Sequence, residues 1–173
     1  MVVEHEAIQQ IVGPLEVAVR REALDLARQV HEYDGVEAIS EAPLLALRDG
    51  DPSVSHVLAW KGGHLAGYSQ RDGEGLSAEL AVAPGHRRFG LAKAIVRTLA
   101  ADTPRVRLWA HGDLGAARMV ADSVGLIAVR ELWEMTANRS CPNDQGAADA
   151  VQSPTPAAAV PARRGAGEQA AQF

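Results

Sequence analysis

Residues 82–95, VAPGHRRFGLAKAI, combine residue types suited to binding an anion. A β-rich run ends at Pro84, then Arg87, Arg88 and Gly90 follow, and a helical pattern begins at once. The first amides of a helix have no internal partner, and the helix dipole makes that end positive. Glycine lets the backbone approach a ligand closely, and arginines add charge-assisted hydrogen bonds. The stretch therefore predicts a diphosphate cradle or, with equal weight, an ordinary β–α turn with solvated arginines.

The spacing and the number of certain residues exclude two other phosphate-binding motifs, a disulfide framework and a metal site. No Lys-Ser/Thr pair follows the glycine as in the GxxxxGKS/T motif, and the GxGxxG spacing is absent as well. The single cysteine, Cys141, excludes an internal disulfide framework and a thiolate zinc cluster. The histidines show no metal-ligand spacing, so we predict no metal.

The composition indicates one domain of ordinary size. The chain has 173 residues, of which 47% are apolar, and a formal net charge of −5. This apolar fraction can supply a core, whereas a nucleic-acid binder usually shows a basic footprint. No basic start precedes an apolar run as in a signal peptide, and no apolar stretch has membrane-spanning length. We therefore expect a soluble cytoplasmic protein whose partners include neither nucleic acid nor membrane.

Apolar periodicity divides the first 136 residues into helices and strands. Helices are predicted from Pro14 through Val30, from Ser40 through Leu47, from Phe89, and over LGAARMVADSV. Strands are predicted for SHVLAW, LAGYSQ, LSAELAV, VRLWA and IAVRELWEM, the first two as a hairpin. This order predicts an α/β fold in which helices cover both faces of a mixed central sheet.

The composition changes near residue 137. Residues 137–173 are mainly Ala, Pro, Gly, Gln and Ser, with few large apolar side chains. Such a segment cannot bury enough surface to offset the entropy of ordering it. We therefore predict a single domain over 1–136 and a low-complexity, disordered tail over 137–173.

The strand–loop–helix unit resembles the acyl-CoA loop of the GCN5-related N-acetyltransferase (GNAT) family. Arg87, Gly90 and Ala92 have the spacing of that family's R/Q-x-x-G-x-G/A motif, and LAVAP is similar to its usual strand end. The segments DGVEAISEAPL, AELAVAPGHRRFG, LWAHGDLGAAR and VGLIAVRELWEM further resemble the N-terminal half of the mycothiol synthases, which contain two acetyltransferase repeats. The resemblance runs from about Leu15 to Met135 and implies a GNAT fold with one repeat.

The resemblance implies acetyl-CoA as the co-substrate. Backbone amides at the start of the helix would hold the diphosphate, and two arginines would add charge to it. The end of the preceding strand would pair with the pantetheine arm, while the next strand splays away. The cofactor-binding residues implied in this way are Leu80, Ala81, Val82, Arg87, Arg88, Phe89, Gly90, Leu91 and Ala92.

The catalytic side chains of the resembled family are absent. Its catalytic repeat carries a Glu where this chain has Leu76, and a Tyr where it has Ala121. Two substitutes remain, and each has a competing interpretation. Glu79 is a candidate base or else a solvent-facing carboxylate or the partner of a loop arginine. His111, near the expected acetyl group, is a candidate catalytic residue or else a loop histidine held by local backbone bonds.

Two functions follow from the resemblance. The first is an acyl-CoA-dependent N-acetyltransferase that acts on a primary amine, the cysteinyl-glucosaminyl-inositol of mycothiol biosynthesis. The second is a non-catalytic acetyl-CoA-binding module, either from a truncated synthase or as the partner of a second GNAT domain. The absence of Glu and Tyr favours the second at the level of mechanism.

Overall fold

The computed structural model describes residues 7–133 and 169–172, which form a seven-stranded sheet with four α-helices. The elements are β1 (Ala7–Val12), α1 (Val17–Asp34), α2 (Glu41–Asp49), β2 (Ser55–Lys61), β3 (His64–Arg71), β4 (Ser77–Val82), a 3₁₀ turn (Pro84–His86), α3 (Leu91–Asp102), β5 (Arg107–His111), α4 (Gly115–Val124), β6 (Arg130–Trp133) and β7 (Gln169–Gln172). The strand order is β1-β2-β3-β4-β5-β7-β6, in which only the β4–β5 pair is parallel. The predicted mixed α/β fold is confirmed.

The core consists of two layers, one on each face of the sheet. On one face the apolar stripe of α1, including Leu26 and Val30, packs with Leu58 and Tyr68 of the central hairpin. On the other face α3 packs against Val57 and the strand residues beside it. Side chains that alternate along β2 therefore enter opposite layers, as the pleat of a strand requires. The helices cover both faces, as the sequence predicted.

A glycine sets how closely α3 approaches the sheet. A Cβ at Gly67 of β3 would lie 2.9 Å from the Cδ1 atom of Ile95 and 3.2 Å from the Cβ of Ala59. A larger side chain here would push α3 away from β3. Gly67 is paired with Val82, the last residue of β4, so this close contact between α3 and the sheet lies beside the end of β4.

Strand β1 was not predicted. It pairs with β2 alone and lies at the edge of the sheet, and most of its residues are exposed. Its sequence, AIQQIV, lacks the strict apolar–polar alternation of a half-buried strand. An exposed edge strand is held mainly by backbone hydrogen bonds, which any sequence can make, so its side chains carry little signal.

The C-terminal part of the prediction needs one correction. Gln169–Gln172 form β7, which lies between β5 and β6, so the prediction of a disordered tail is wrong for these four residues. Backbone bonds to both neighbours hold this polar segment, and composition does not reveal them. The rest of the predicted tail, 137–168 and 173, lies outside the described residues. The domain boundary near 136 remains a prediction.

None of the helices within 7–133 is long and apolar enough to cross a membrane.

Candidate functional site

Strands β4 and β5 separate part-way along their length. Their ladder has three pairs, Ser77–Arg107 to Glu79–Trp109, while Leu80–Val82 continue to pair with β3 on the other side. A cavity of about 500 Å³ opens at this separation. Its walls include Leu80, Ala81 and Val82 from β4, and β5 contributes its residues from Leu108 to His111. The backbone of Leu80–Val82 therefore has one edge turned toward the cavity and away from any described strand.

The start of α3 lies at the mouth of this cavity. Gly90 has φ +86° and precedes the first helical residue, and no side chain caps this end of the helix. A Cβ at Gly90 would meet no protein atom within 4 Å, so the space beside it is open. The first turn carries no acidic residue. The amides that begin α3 are thus available to an anion.

The loop before α3 has a second residue of unusual conformation. Arg88 has φ +69°, in the left-handed region that non-glycine residues rarely adopt. Arg88, Gly90, Leu91 and Ala92 line the cavity. Phe89 is absent from the described lining. Its exposed ring lies under the Lys61 ammonium, 3.7 Å from the ring centroid to Nζ.

Arg87 lines the cavity but binds a protein carboxylate. Its Nη1 and Nη2 atoms donate to Asp34 Oδ1 and Oδ2 at 2.8 and 2.6 Å, and its Nε donates to the Val82 carbonyl at 3.3 Å. The hydrogen bonds to Asp34 raise the pKa of Arg87 above its ordinary value. The guanidinium also lies 5.3 Å from the ring centroid of Tyr33. Arg87 therefore ties the loop to the end of α1, and its charge is already balanced in the absence of a ligand.

Glu79 is buried, so the solvent-facing alternative to its catalytic assignment is wrong. It is 6% exposed, and its Oε2 and Oε1 atoms accept hydrogen bonds from the Ser40 N–H at 2.5 Å and from the Ser40 hydroxyl at 2.7 Å. Ser40 is the residue before α2, so the carboxylate occupies the positive end of that helix. Its Oε1 lies 3.5 Å from His111 Nε2.

His111 is the last residue of β5 rather than a loop residue, and it lines the cavity. The described lining does not include Glu79. The structure therefore brings the two candidates together as a pair in which only the imidazole faces the cavity. A carboxylate beside a ring nitrogen can fix the orientation of the imidazole.

The two positions at which the resembled family carries catalytic groups have no ionisable side chain near the cavity. Leu76 is exposed and precedes β4. Ala121 is buried and lines the cavity from α4. Nothing at either position can move a proton.

Sequence reasoning missed three residues of the site. Asp34 neutralises Arg87, Ser40 holds Glu79, and Lys93 lines the cavity from the first turn of α3. Of these three, only Lys93 could have been identified from the sequence. A cation in the first turn of a helix opposes the helix dipole unless an anion binds there, so its position indicates an anion site. Within residues 7–133 and 169–172, no three His, Cys, Asp or Glu side chains are grouped as a metal site.

Comparison with known proteins agrees with this geometry. No protein-family model matches the chain. The mycothiol acetyltransferase of Cellulomonas flavigena is 44% identical over 136 residues, which are 71% of this chain and 39% of that protein. That of Sanguibacter keddieii is 37% identical over 139 residues, 76% of this chain and 44% of that protein. This chain is related to the mycothiol acetyltransferases. It spans about two fifths of the length of these relatives.

Solved structures show the same fold. The protein yncA from Salmonella typhimurium was determined with its cofactor acetyl-CoA and has a TM-score of 0.56 at 10% identity. The match covers 96% of this chain and 93% of the yncA chain. A tandem GNAT protein from the clavulanic acid pathway has a TM-score of 0.50 at 21% identity. The match covers 70% of this chain and 44% of the tandem protein. The predicted resemblance to the GNAT family and to the mycothiol synthases is thereby confirmed.

Proposed function

We propose that this chain binds acetyl-CoA in the cavity between β4 and β5 and transfers the acetyl group to a primary amine. The observation that carries this proposal is the separation of β4 from β5 directly beside the uncapped start of α3. An open strand edge suits the two amides of a pantetheine arm, because it can pair with them as with another strand. The helix start suits the diphosphate. Both features open on one cavity.

The residues assigned to the cofactor would bind it in different ways, some through backbone groups and others through side-chain charge. Leu80, Ala81 and Val82 would contribute backbone groups to the pantetheine arm, and the amides from Phe89 to Ala92 would bind the diphosphate. Arg88 would add charge to the diphosphate. Arg87 would act by holding the loop, because its guanidinium already makes two hydrogen bonds to Asp34. No metal is needed for this chemistry.

For catalysis we propose His111 as the base and Glu79 as the residue that positions it. The amine nitrogen attacks the thioester carbon, the C–S bond breaks, and His111 takes a proton from the amine. No side chain at position 76 or 121 can protonate the leaving thiolate, so that proton would come from the imidazolium or from water. General acid–base assistance is typically worth ~10²–10⁴-fold for a proton transfer. Because this chain has no dedicated acid for the leaving thiolate, we expect slow transfer.

The acceptor proposed from the resemblance to the mycothiol synthases is the cysteinyl amine of a glucosaminyl-inositol. The location proposed is the cytoplasm, where acyl-CoA is available. A second candidate is favoured by Leu76 and Ala121: a non-catalytic acetyl-CoA-binding module that works with a second GNAT domain. A tandem GNAT protein among the structural neighbours, of which this chain covers 44%, supports this second candidate. Release of free thiol from acetyl-CoA in the presence of an amine panel distinguishes the enzyme from the module.

Binding itself is tested at Gly90. Gly90→Ala adds a methyl group in the open space where the diphosphate would approach the backbone. We expect at least a tenfold loss of CoA affinity by calorimetry, about the value of one hydrogen bond to a charged group. The matched control is Gly63→Ala in the β2–β3 turn, because Gly63 has φ +81°, close to the +86° of Gly90, and its Cβ would also meet no atom within 4 Å.

Both variants carry the same backbone strain, so a difference between them reports the ligand. Equal CoA affinities for Gly90→Ala and Gly63→Ala would contradict the proposed cradle.

A further inference from the structure

The segment that connects α1 to α2, residues 35–40, is attached to the candidate site at both of its ends. At its start, Asp34 of α1 accepts two hydrogen bonds from Arg87 in the loop before α3. At its end, the Ser40 N–H donates a hydrogen bond to Glu79 of β4. These contacts hold the connecting segment against two of the elements that form the site.

A third contact joins the middle of this segment to the end of β5. Gly112 follows His111 directly and has φ +77°. A Cβ at Gly112 would lie 2.7 and 2.8 Å from the Cγ1 and Cγ2 atoms of Val36, and 3.1 Å from its Cβ. The two methyl groups of Val36 therefore fill the space that a side chain at position 112 would need. Because packed atoms cannot overlap, the backbone after His111 cannot shift toward Val36.

The position of the His111 imidazole depends on its backbone as well as on its side-chain neighbour. Glu79 Oε1 lies 3.5 Å from the Nε2 atom and can orient the ring. On one edge of β5 the backbone is held because His111 is paired with Ala170 of β7. At the end of the strand, Val36 packed on Gly112 limits where the chain can go. Val36 and His111 both line the cavity, so a shift of either changes the same surface.

We infer that Val36 is a positioning residue for His111, on which it acts through its contact with Gly112. Where it concerns catalysis, this inference rests on the proposed function, because it takes His111 as the base. A displacement of about 1 Å at a reacting group can cost up to ~10²-fold in rate. The groups proposed to bind acetyl-CoA lie on β4 and at the start of α3, away from this contact. The effect of Val36 should therefore appear in kcat and not in KM for acetyl-CoA.

The test is a double-mutant cycle on the intact chain. Gly112→Ala introduces the methyl group that Val36 excludes, and we expect kcat for thiol release to fall about tenfold with KM for acetyl-CoA unchanged. Val36→Ala removes both Cγ atoms and should lower kcat less, because the backbone then loses a support but meets no clash. In the double variant Gly112→Ala/Val36→Ala, the new methyl group occupies the space that the Cγ atoms have left. Its kcat should return to within about threefold of the parent value, whereas independent losses would multiply.

The matched control is Gly63→Ala, which has a similar backbone strain at φ +81° but whose Cβ would meet no atom within 4 Å. It should leave kcat unchanged. A second measurement does not need turnover. It follows the ring resonance of His111 in a proton–carbon NMR spectrum, identified by its loss in His111→Asn. We expect this resonance to move in Gly112→Ala and in Val36→Ala, to return toward the parent position in the double variant, and to stay in place in Gly63→Ala.

Three outcomes would each overturn the inference: losses of kcat that multiply in the double variant, a His111 resonance that moves in neither single variant, or an equal loss of kcat in Gly63→Ala. Val36→Ala introduces no clash, so its resonance decides the question if Gly112→Ala does not fold. If the parent chain releases no thiol with any amine, the proposed catalysis fails instead. The resonance then decides by itself whether Val36 positions His111.

Discussion

The buried carboxylate of Glu79 connects three elements of the fold. It projects from β4, accepts both hydrogen bonds from Ser40 at the start of α2, and lies 3.5 Å from His111 at the end of β5. Any substitution of Glu79 therefore acts on stability and on the orientation of His111 at once. A test of its catalytic contribution has to separate these two effects.

At the residue scale we expect His111→Ala to lower kcat for thiol release at least about a hundredfold while KM for acetyl-CoA stays near the parent value, because general base assistance is worth ~10²–10⁴-fold. Glu79→Gln should lower kcat less, again with KM unchanged. Added imidazole should restore part of the activity of His111→Ala, since a free base can then occupy the vacated space.

The control is Ser40→Ala, which removes one hydrogen bond to Glu79 but leaves the contact with His111. It should lower the melting temperature and leave kcat unchanged. If the parent chain releases no thiol with any amine, or if His111→Ala keeps the parental kcat, the assignment of His111 fails. Binding without turnover would then favour the non-catalytic module.

At the scale of elements, the loop before α3 is held by the end of α1. The Arg87–Asp34 pair joins them, with side-chain exposures of 26% and 10%. Asp34 also lines the cavity, so its negative charge faces the place proposed for the diphosphate. The same carboxylate thus stabilises the loop and would repel the proposed diphosphate.

We therefore expect Asp34→Asn to change stability and affinity in opposite directions. Losing a paired charge should cost about 1–3 kcal/mol of unfolding free energy, measured by denaturant titration. Removing the repulsion and releasing the charge of Arg87 should raise CoA affinity roughly threefold, and more at low salt. Asp25→Asn is the control, since Asp25 lies on α1 in an exposed pair with Arg28. It should alter neither quantity. A loss of affinity in Asp34→Asn would contradict this expectation and show that holding the loop matters more for binding than removing the repulsion.

Local patterns explain which elements could be predicted. Helix α1 buries Ala23, Leu26, Ala27 and Val30 at helical spacing, so its periodicity was visible in the sequence. The start of α3 was visible as well, because a glycine and a change of period mark it. The partner of Arg87 was not visible. Asp34 lies 53 residues away, and only the packing of α1 beside the loop brings the two together. Arginine chemistry suits a phosphate and a carboxylate equally.

At the scale of the whole molecule, the position of β7 was the least predictable feature. Its neighbours are β5, through Trp109 to His111, and β6, through Arg130 to Trp133. The sequence QAAQ offers little apolar area and no alternation, so composition assigned it to a tail. A strand between two others is held by backbone hydrogen bonds on both edges, which do not depend on side-chain type. The same strand pairs with one edge of β5, and residues of β5 from Leu108 to His111 form a wall of the cavity that opens toward β4.

Ala171 is the position at which this arrangement can be tested, because it faces Ala110 of β5 and Glu131 of β6. Ala171→Pro removes an amide inside the sheet and introduces a ring that an interior strand does not accommodate. We expect a loss of about 2 kcal/mol, which corresponds to a fall of about 4–8 °C in Tm for a chain of this size. Ala171→Ser keeps the amide and is the matched control. Its Tm should remain near that of the parent chain. Equal melting temperatures for the two variants would mean that β7 contributes nothing to the sheet, and that the wall of the cavity formed by β5 is stable without it.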